Sequence, residues 1–284
     1  MPGKAERSAR GRWGHLPEYL IEAGALGTFM VSACLFGTLL GHSSSPVVGA
    51  IASDDVRRVL MGIAMGLTAI AIIHSPWGRR SGAQMNPAVT LAFFRLGKSA
   101  PRDAAAYVVA QFVGGAAGVV LASAAFGSAL AAPGVMYVVT EPGMAGVAAA
   151  FLVELVISAI MMTMVLHTTS SERWKRYTGI LAGGLVAVFI VVTAPISGMS
   201  MNPARTVASA VVANHWMSVW VYLTAPLAGM LLAAETFVRR RGREAASCGK
   251  IMHADPCIFC QHVRARVAPV RHKSIGTPEP RRAL

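Results

Sequence analysis

Two triplets in this chain have residue types and spacing suited to non-covalent chemistry: Asn86-Pro87-Ala88 and Asn202-Pro203-Ala204. Each sits in a longer echo, SGAQMNPAVTLA from Ser81 and SGMSMNPARTVA from Ser197, with eight of twelve positions identical. Asparagine is a favoured helix N-cap and proline a favoured first helical residue, so each triplet predicts a helix start. A capping asparagine commits its side-chain oxygen to its own helix and leaves its amide NH₂ free to donate. The second copy adds Arg205 where the first has Val89, one turn into only one of the two helices. Its guanidinium is always charged and carries five donors, so it needs backbone carbonyls or water around it in an apolar setting. Together these groups can hydrogen-bond a neutral molecule and repel a cation. No nucleotide-binding loop and no catalytic triad is discernible, so an enzyme is not expected.

The elements that position these groups are set by composition. Of 284 residues, 54% are hydrophobic and only 14% charged, with a mean hydropathy of +0.53, which argues against a soluble domain. A hydrocarbon core roughly 30 Å thick takes about 20 apolar residues per helix. Six stretches qualify: Tyr19–Gly41, Val56–Ile73, Ala104–Ala125, Met144–His167, Thr178–Pro195 and Met217–Val238. No cleavable signal peptide is evident. The net charge is +13, and 23 of the 26 lysines and arginines fall in the N-terminal segment, in two alternate loops and in the tail. The positive-inside rule then predicts both termini in the cytoplasm of a multi-pass cell-membrane protein. That distribution assigns the charge to orientation and anionic lipid, and nucleic acid is not an expected partner.

Each half of the chain holds three spans. Three is odd, so the second half enters the membrane from the opposite side, and an inverted repeat follows from counting alone. After each Asn-Pro comes an apolar stretch too short to cross, Asn86–Leu96 and Asn202–Ala213, about 16–18 Å as helices. Two re-entrant half-helices are therefore expected, meeting N-terminus to N-terminus near the midplane. The non-helical backbone before them, Ser81–Met85 and Ser197–Met201, is tolerated at that depth only beside a watery cavity, where its carbonyls become acceptors. Two helix N-termini carrying about half a positive charge each would exclude cations, hydronium included. The fold class expected is an all-α membrane protein of six transmembrane helices plus two half-helices.

These residues resemble the major intrinsic protein family, the aquaporins and aquaglyceroporins, over about Tyr19 to Val238. The resemblance implies an aquaporin-like bundle, a passive channel for water and other small neutral solutes, and a homotetramer in which each subunit carries its own pore. It implies that Glu22 and Glu154, in spans one and four, hydrogen-bond the loop backbones and support the pore. It places the outer selectivity filter on Met65, Ile190, Met199 and Arg205. Water-specific members usually carry Phe and His at the first two of these positions and glycerol facilitators Trp and Gly; this chain has neither pair. Thr206 stands where glycerol facilitators tend to have Asp, and Gln84 where many members have His. Water, ammonia, glycerol and small metalloid acids stay open as permeants. Ala110, Gly114, Gly118, Ala225 and Gly229 are small enough for close helix packing.

The domain reading is a basic N-terminal segment over 1–17 and a channel domain over 18–238. Its repeats cover about 18–126 and 144–238, and a basic cytoplasmic tail follows over 239–284. Cys34 lies in span one as a small packing residue. The tail holds Cys248, Cys257 and Cys260 with His253 and His262 close by, the ligand types of a tetrahedral zinc site. Their irregular spacing among Arg and Pro favours reduced thiols in a disordered tail instead, so neither a metal nor a cofactor is expected. A coupled transporter would also show an inverted repeat, but it would need more ionisable groups along its path than Glu22, Glu154 and Arg205. A non-transporting structural protein on the same fold is the remaining alternative.

Overall fold

The computed structural model describes residues 14–246, 248–253 and 257–267. Among them six helices are long and apolar enough to cross a membrane. They are α1 (Leu16–Gly41), α2 (Asp54–His74), α4 (Pro101–Phe126), α5 (Gly146–Thr169), α6 (Thr178–Ser197) and α8 (Val219–Arg241), with the shorter α3 (Pro87–Arg95) and α7 (Pro203–Ala213) between them. A further helix, α9 (Ile258–Val267), belongs to the tail, and short helical turns fill several connections, Pro76–Ser81 among them. The long helices run a few residues past the apolar stretches because capping residues and polar first turns lie just outside the hydrophobic windows. Ser53, for example, caps α2 by accepting from the Val56 amide, with Asp54 and Asp55 in its first turn, where carboxylates favour the positive helix end.

Packing follows the repeat. Span one of each half packs on span three of the same half, α1 on α4 and α5 on α8, and the middle spans α2 and α6 pack on each other across the halves. Each half-helix lies against the third span of the opposite half, α3 on α8 and α7 on α4. Small residues make these approaches possible: a Cβ on Gly114 would fall 2.1 Å from the Ala23 carbonyl oxygen, and one on Gly229 would fall 2.2 Å from that of Leu155. The outward faces carry exposed Leu20, Leu67, Val113, Leu121, Val192 and Leu232. This is the apolar periphery of a membrane protein, whose spanning helices satisfy their backbone groups internally.

Candidate functional site

The site forms where the two motif loops meet. Asn86 caps α3 by accepting from the Ala88 amide at 2.9 Å, and Asn202 caps α7 by accepting from Ala204 at 3.1 Å and Arg205 at 3.3 Å. Both helices begin with proline directly after the cap. The sequence leads one to expect amides that point only toward a permeant, and here the structure differs. Asn86 Nδ2 donates to the Met201 carbonyl at 2.7 Å, and Asn202 Nδ2 donates to the Met85 carbonyl at 2.7 Å. One hydrogen of each NH₂ therefore clasps the opposite loop, and the other is left to face the cavity.

The loops are held open by an unusual backbone. Gly82, Ala83 and Met85 adopt positive φ, and Gly198, Met199 and Met201 repeat the pattern in the second copy. For residues with a side chain such geometry costs about 1–3 kcal/mol each in strain, so the surroundings must over-determine it. Glu154 is fully buried and accepts from Ser200 N at 2.9 Å, Met201 N at 2.7 Å and Ser197 Oγ at 2.8 Å. Glu22, equally buried, accepts from the Met85 amide and from Gln111 Nε2 at 3.0 Å.

Further supports are symmetric and have no obvious signal in the sequence. Tyr107 donates to the Ser81 carbonyl and Tyr222 to the Ser197 carbonyl, both at 2.7 Å. Thr90 donates to Gln84 Oε1 at 2.7 Å, and Thr206 pairs with Ser200 Oγ at 2.6 Å.

A cavity of about 580 Å³ runs past these loops. Asn86, Asn202, Met65, Ile190, Met199 and Arg205 all line it, whereas Glu22 and Glu154 stand behind it. Pro87, Ala88, Pro203 and Ala204 are buried in the half-helix starts and also lie outside the lining. Arg205 Nη1 is buried with no hydrogen-bond partner among the described residues; of the backbone carbonyls or water expected around the guanidinium, no carbonyl meets that nitrogen. Val89, its counterpart, lines the same cavity, which leaves the wall asymmetric in charge. The lining includes Asp54, Arg57 and Arg58 at the start of α2, and Ile73 and Val165 near the ends of α2 and α5 together with the tail residue Ile251.

The described part of the tail is not disordered, contrary to the expectation from its composition; it lies folded on the channel face. Ligand atoms of Cys248, His253, Cys257 and Cys260 all lie within 4.8 Å of one another, and His262 is outside that group. The hydrogen bond between Cys248 and Cys257 pulls the Cys257 thiol down to about 5 and pushes Cys248 up.

Comparison with known proteins agrees with this architecture. The chain is 29% identical over 199 residues to the probable aquaporin NIP7-1 of Arabidopsis thaliana, covering 69% of this chain and 67% of that one. It is 34% identical over 200 residues to the glycerol uptake facilitator protein-like 6 of Lactiplantibacillus plantarum, covering 69% and 84%. The aquaglyceroporin from Plasmodium falciparum superposes with a TM-score of 0.64 at 17% identity, over 78% of this chain and 95% of that one. The model of the major intrinsic protein family matches residues 18–237, and with two capped half-helices clasped across an inverted repeat, the chain belongs to that family.

Proposed function

We propose that this protein is a passive membrane channel for water and small uncharged solutes that excludes protons and other ions, and that it carries no catalytic activity. The observation that carries this reading is the meeting of two helix N-termini, each capped by an asparagine, on the wall of one continuous cavity. A water molecule there meets donors from both halves and offers its lone pairs to them, so it is poorly placed to relay a proton onward. The helix ends and Arg205 add a positive potential that opposes cations.

Selectivity is assigned to Met65, Ile190, Met199 and Arg205. Three of the four are flexible or aliphatic, so in this filter a permeant accepts hydrogen bonds from Arg205 and donates them to loop carbonyls. Apolar contacts discriminate by about 1–3 kcal/mol per methylene-sized difference, which favours a water pore that also leaks solutes such as ammonia or glycerol. The protein sits in the cell membrane with both termini cytoplasmic, on the charge distribution of its loops, and assembles as a homotetramer, each subunit with its own pore. Osmotic and solute flux in proteoliposomes, with and without a pH gradient, tests the reading. Flux of neutral solutes independent of the gradient supports a channel; gradient-driven uptake would mean a coupled transporter, and no flux a structural protein.

A further inference from the structure

The tail returns to the helix bundle and lies against the first motif loop, with Ile251 in the lining of the cavity. Ile251 N donates to the Gly82 carbonyl at 3.1 Å, Gln84 Nε2 donates to the Gly249 carbonyl at 2.6 Å, and Lys250 Nζ donates to the Arg79 carbonyl at 3.1 Å. Gly82, at φ +101°, makes room for this: a Cβ there would meet Lys250 Cγ at 2.7 Å. The strap thus seats Ile251, 7% exposed, in the wall of the cavity that Ile73 and Val165 also line. Phe259 anchors the far side edge-on to Tyr107, with ring centroids 5.5 Å apart.

The strap buries Cys248, Ile251, Cys257, Ile258 and Phe259, and units of this size generally need a staple as well. The candidate is at hand. Cys248 opens the strap, His253 follows it, and Cys257 and Cys260 flank the start of α9. Cys248 Sγ lies 3.4 Å from Cys257 Sγ and 3.6 Å from Cys260 Sγ, and His253 Nε2 lies 3.2 Å from Cys260 Sγ. The Cys260 amide donates to Cys257 Sγ at 3.5 Å, which orients one sulfur through the backbone. Four ligands around a zinc ion with Zn–S of about 2.3 Å stand about 3.8 Å apart; the three close pairs need to open by only a few tenths of an ångström, and all four ligand atoms already lie within 4.8 Å of one another. A disulfide would use two of the three sulfurs and leave the convergence of Cys260 and His253 without a purpose.

We propose that Cys248, His253, Cys257 and Cys260 bind one Zn²⁺ in a closed tetrahedral site, and that the metal fastens the strap across the mouth so that Ile251 narrows the channel. The gate rests on the channel reading; the metal site does not. With zinc, Ile251 forms an apolar constriction of the kind that gates by dewetting. Without it, the strap loses its one cross-link between Cys248 and α9, and it releases the mouth.

The test uses the purified full chain, loaded with Zn²⁺ or stripped by a chelator, then reconstituted. Elemental analysis is expected to give about one zinc per wild-type chain after dialysis and almost none for Cys257→Ser. Stopped-flow osmotic flux should be at least about three-fold faster for the stripped wild type than for the loaded one, and indifferent to zinc for Cys257→Ser. Ile251→Ala should keep its zinc and conduct fast in both states, which separates the constriction from a misfolded tail. A wild type that retains no zinc, or a Cys248–Cys257 disulfide found in its place, overturns the site. Loaded and stripped wild type with equal flux overturns the gate. Absence of flux from every form, Ile251→Ala included, contradicts the channel reading, while the zinc count still decides the site.

Discussion

Asn202 donates its side-chain amide to the Met85 carbonyl at 2.7 Å, across the interface between the two halves of the chain. The same side chain caps α7 through its oxygen. One residue thereby ties a helix start of one repeat to the loop of the other, and Asn86 does the same in reverse. Two side chains thus share four hydrogen-bonding roles where the loops meet, so a change at either asparagine affects both halves.

Asn202→Asp separates those roles. A carboxylate still caps α7, but it cannot donate to the Met85 carbonyl, and it brings negative charge to the meeting point of two positive helix ends. The expected outcome is a channel that folds yet leaks cations, seen as ionic current in planar bilayers where the parent gives none. A variant as ion-tight as the parent would contradict the electrostatic role given to this point.

Glu154 holds three donors, two of them backbone amides of a loop with positive φ. Glu154→Ala leaves those buried donors unpaired, at about 1–3 kcal/mol for each, whereas Glu154→Gln keeps an acceptor oxygen. Thermal unfolding in detergent should rank the parent above Gln and Gln above Ala, with water flux falling in the same order. Equal melting of all three would mean that the loop holds its shape without the carboxylate.

Ile190→His adds a polar contact beside Arg205, partly replacing the hydration that a water molecule loses in the filter. The ratio of water to glycerol permeability should rise several-fold, in line with about 1–3 kcal/mol of discrimination. An unchanged ratio would show that Met65, Ile190 and Met199 do not form the narrow point.

The six spans and both half-helices are legible in the sequence because membrane thickness and the Asn-Pro start impose strong patterns on it. Glu22, Glu154 and Arg205 stand out because ionisable groups in apolar stretches are rare. Tyr107 and Tyr222 are not legible, since a tyrosine in a span has no distinctive spacing and only the fold brings it to the Ser81 and Ser197 carbonyls. The crossed asparagine bonds escape notice for a related reason: their acceptors are backbone atoms in the other half. The order in the tail is hidden because Cys248, His253, Cys257 and Cys260 follow no regular period. Their convergence depends on the strap's docking to Gly82 and Gln84, and that surface is itself built from the inverted repeat.

The central claim is that neutral molecules pass the asparagine pair and protons do not. Simultaneous measurement of osmotic shrinkage and internal pH in sealed proteoliposomes tests it most directly, using the zinc-stripped chain so that the tail does not limit flow. Rapid shrinkage, with a proton leak no greater than that of protein-free vesicles, is the predicted result. A proton flux that rises in step with the water flux would contradict it.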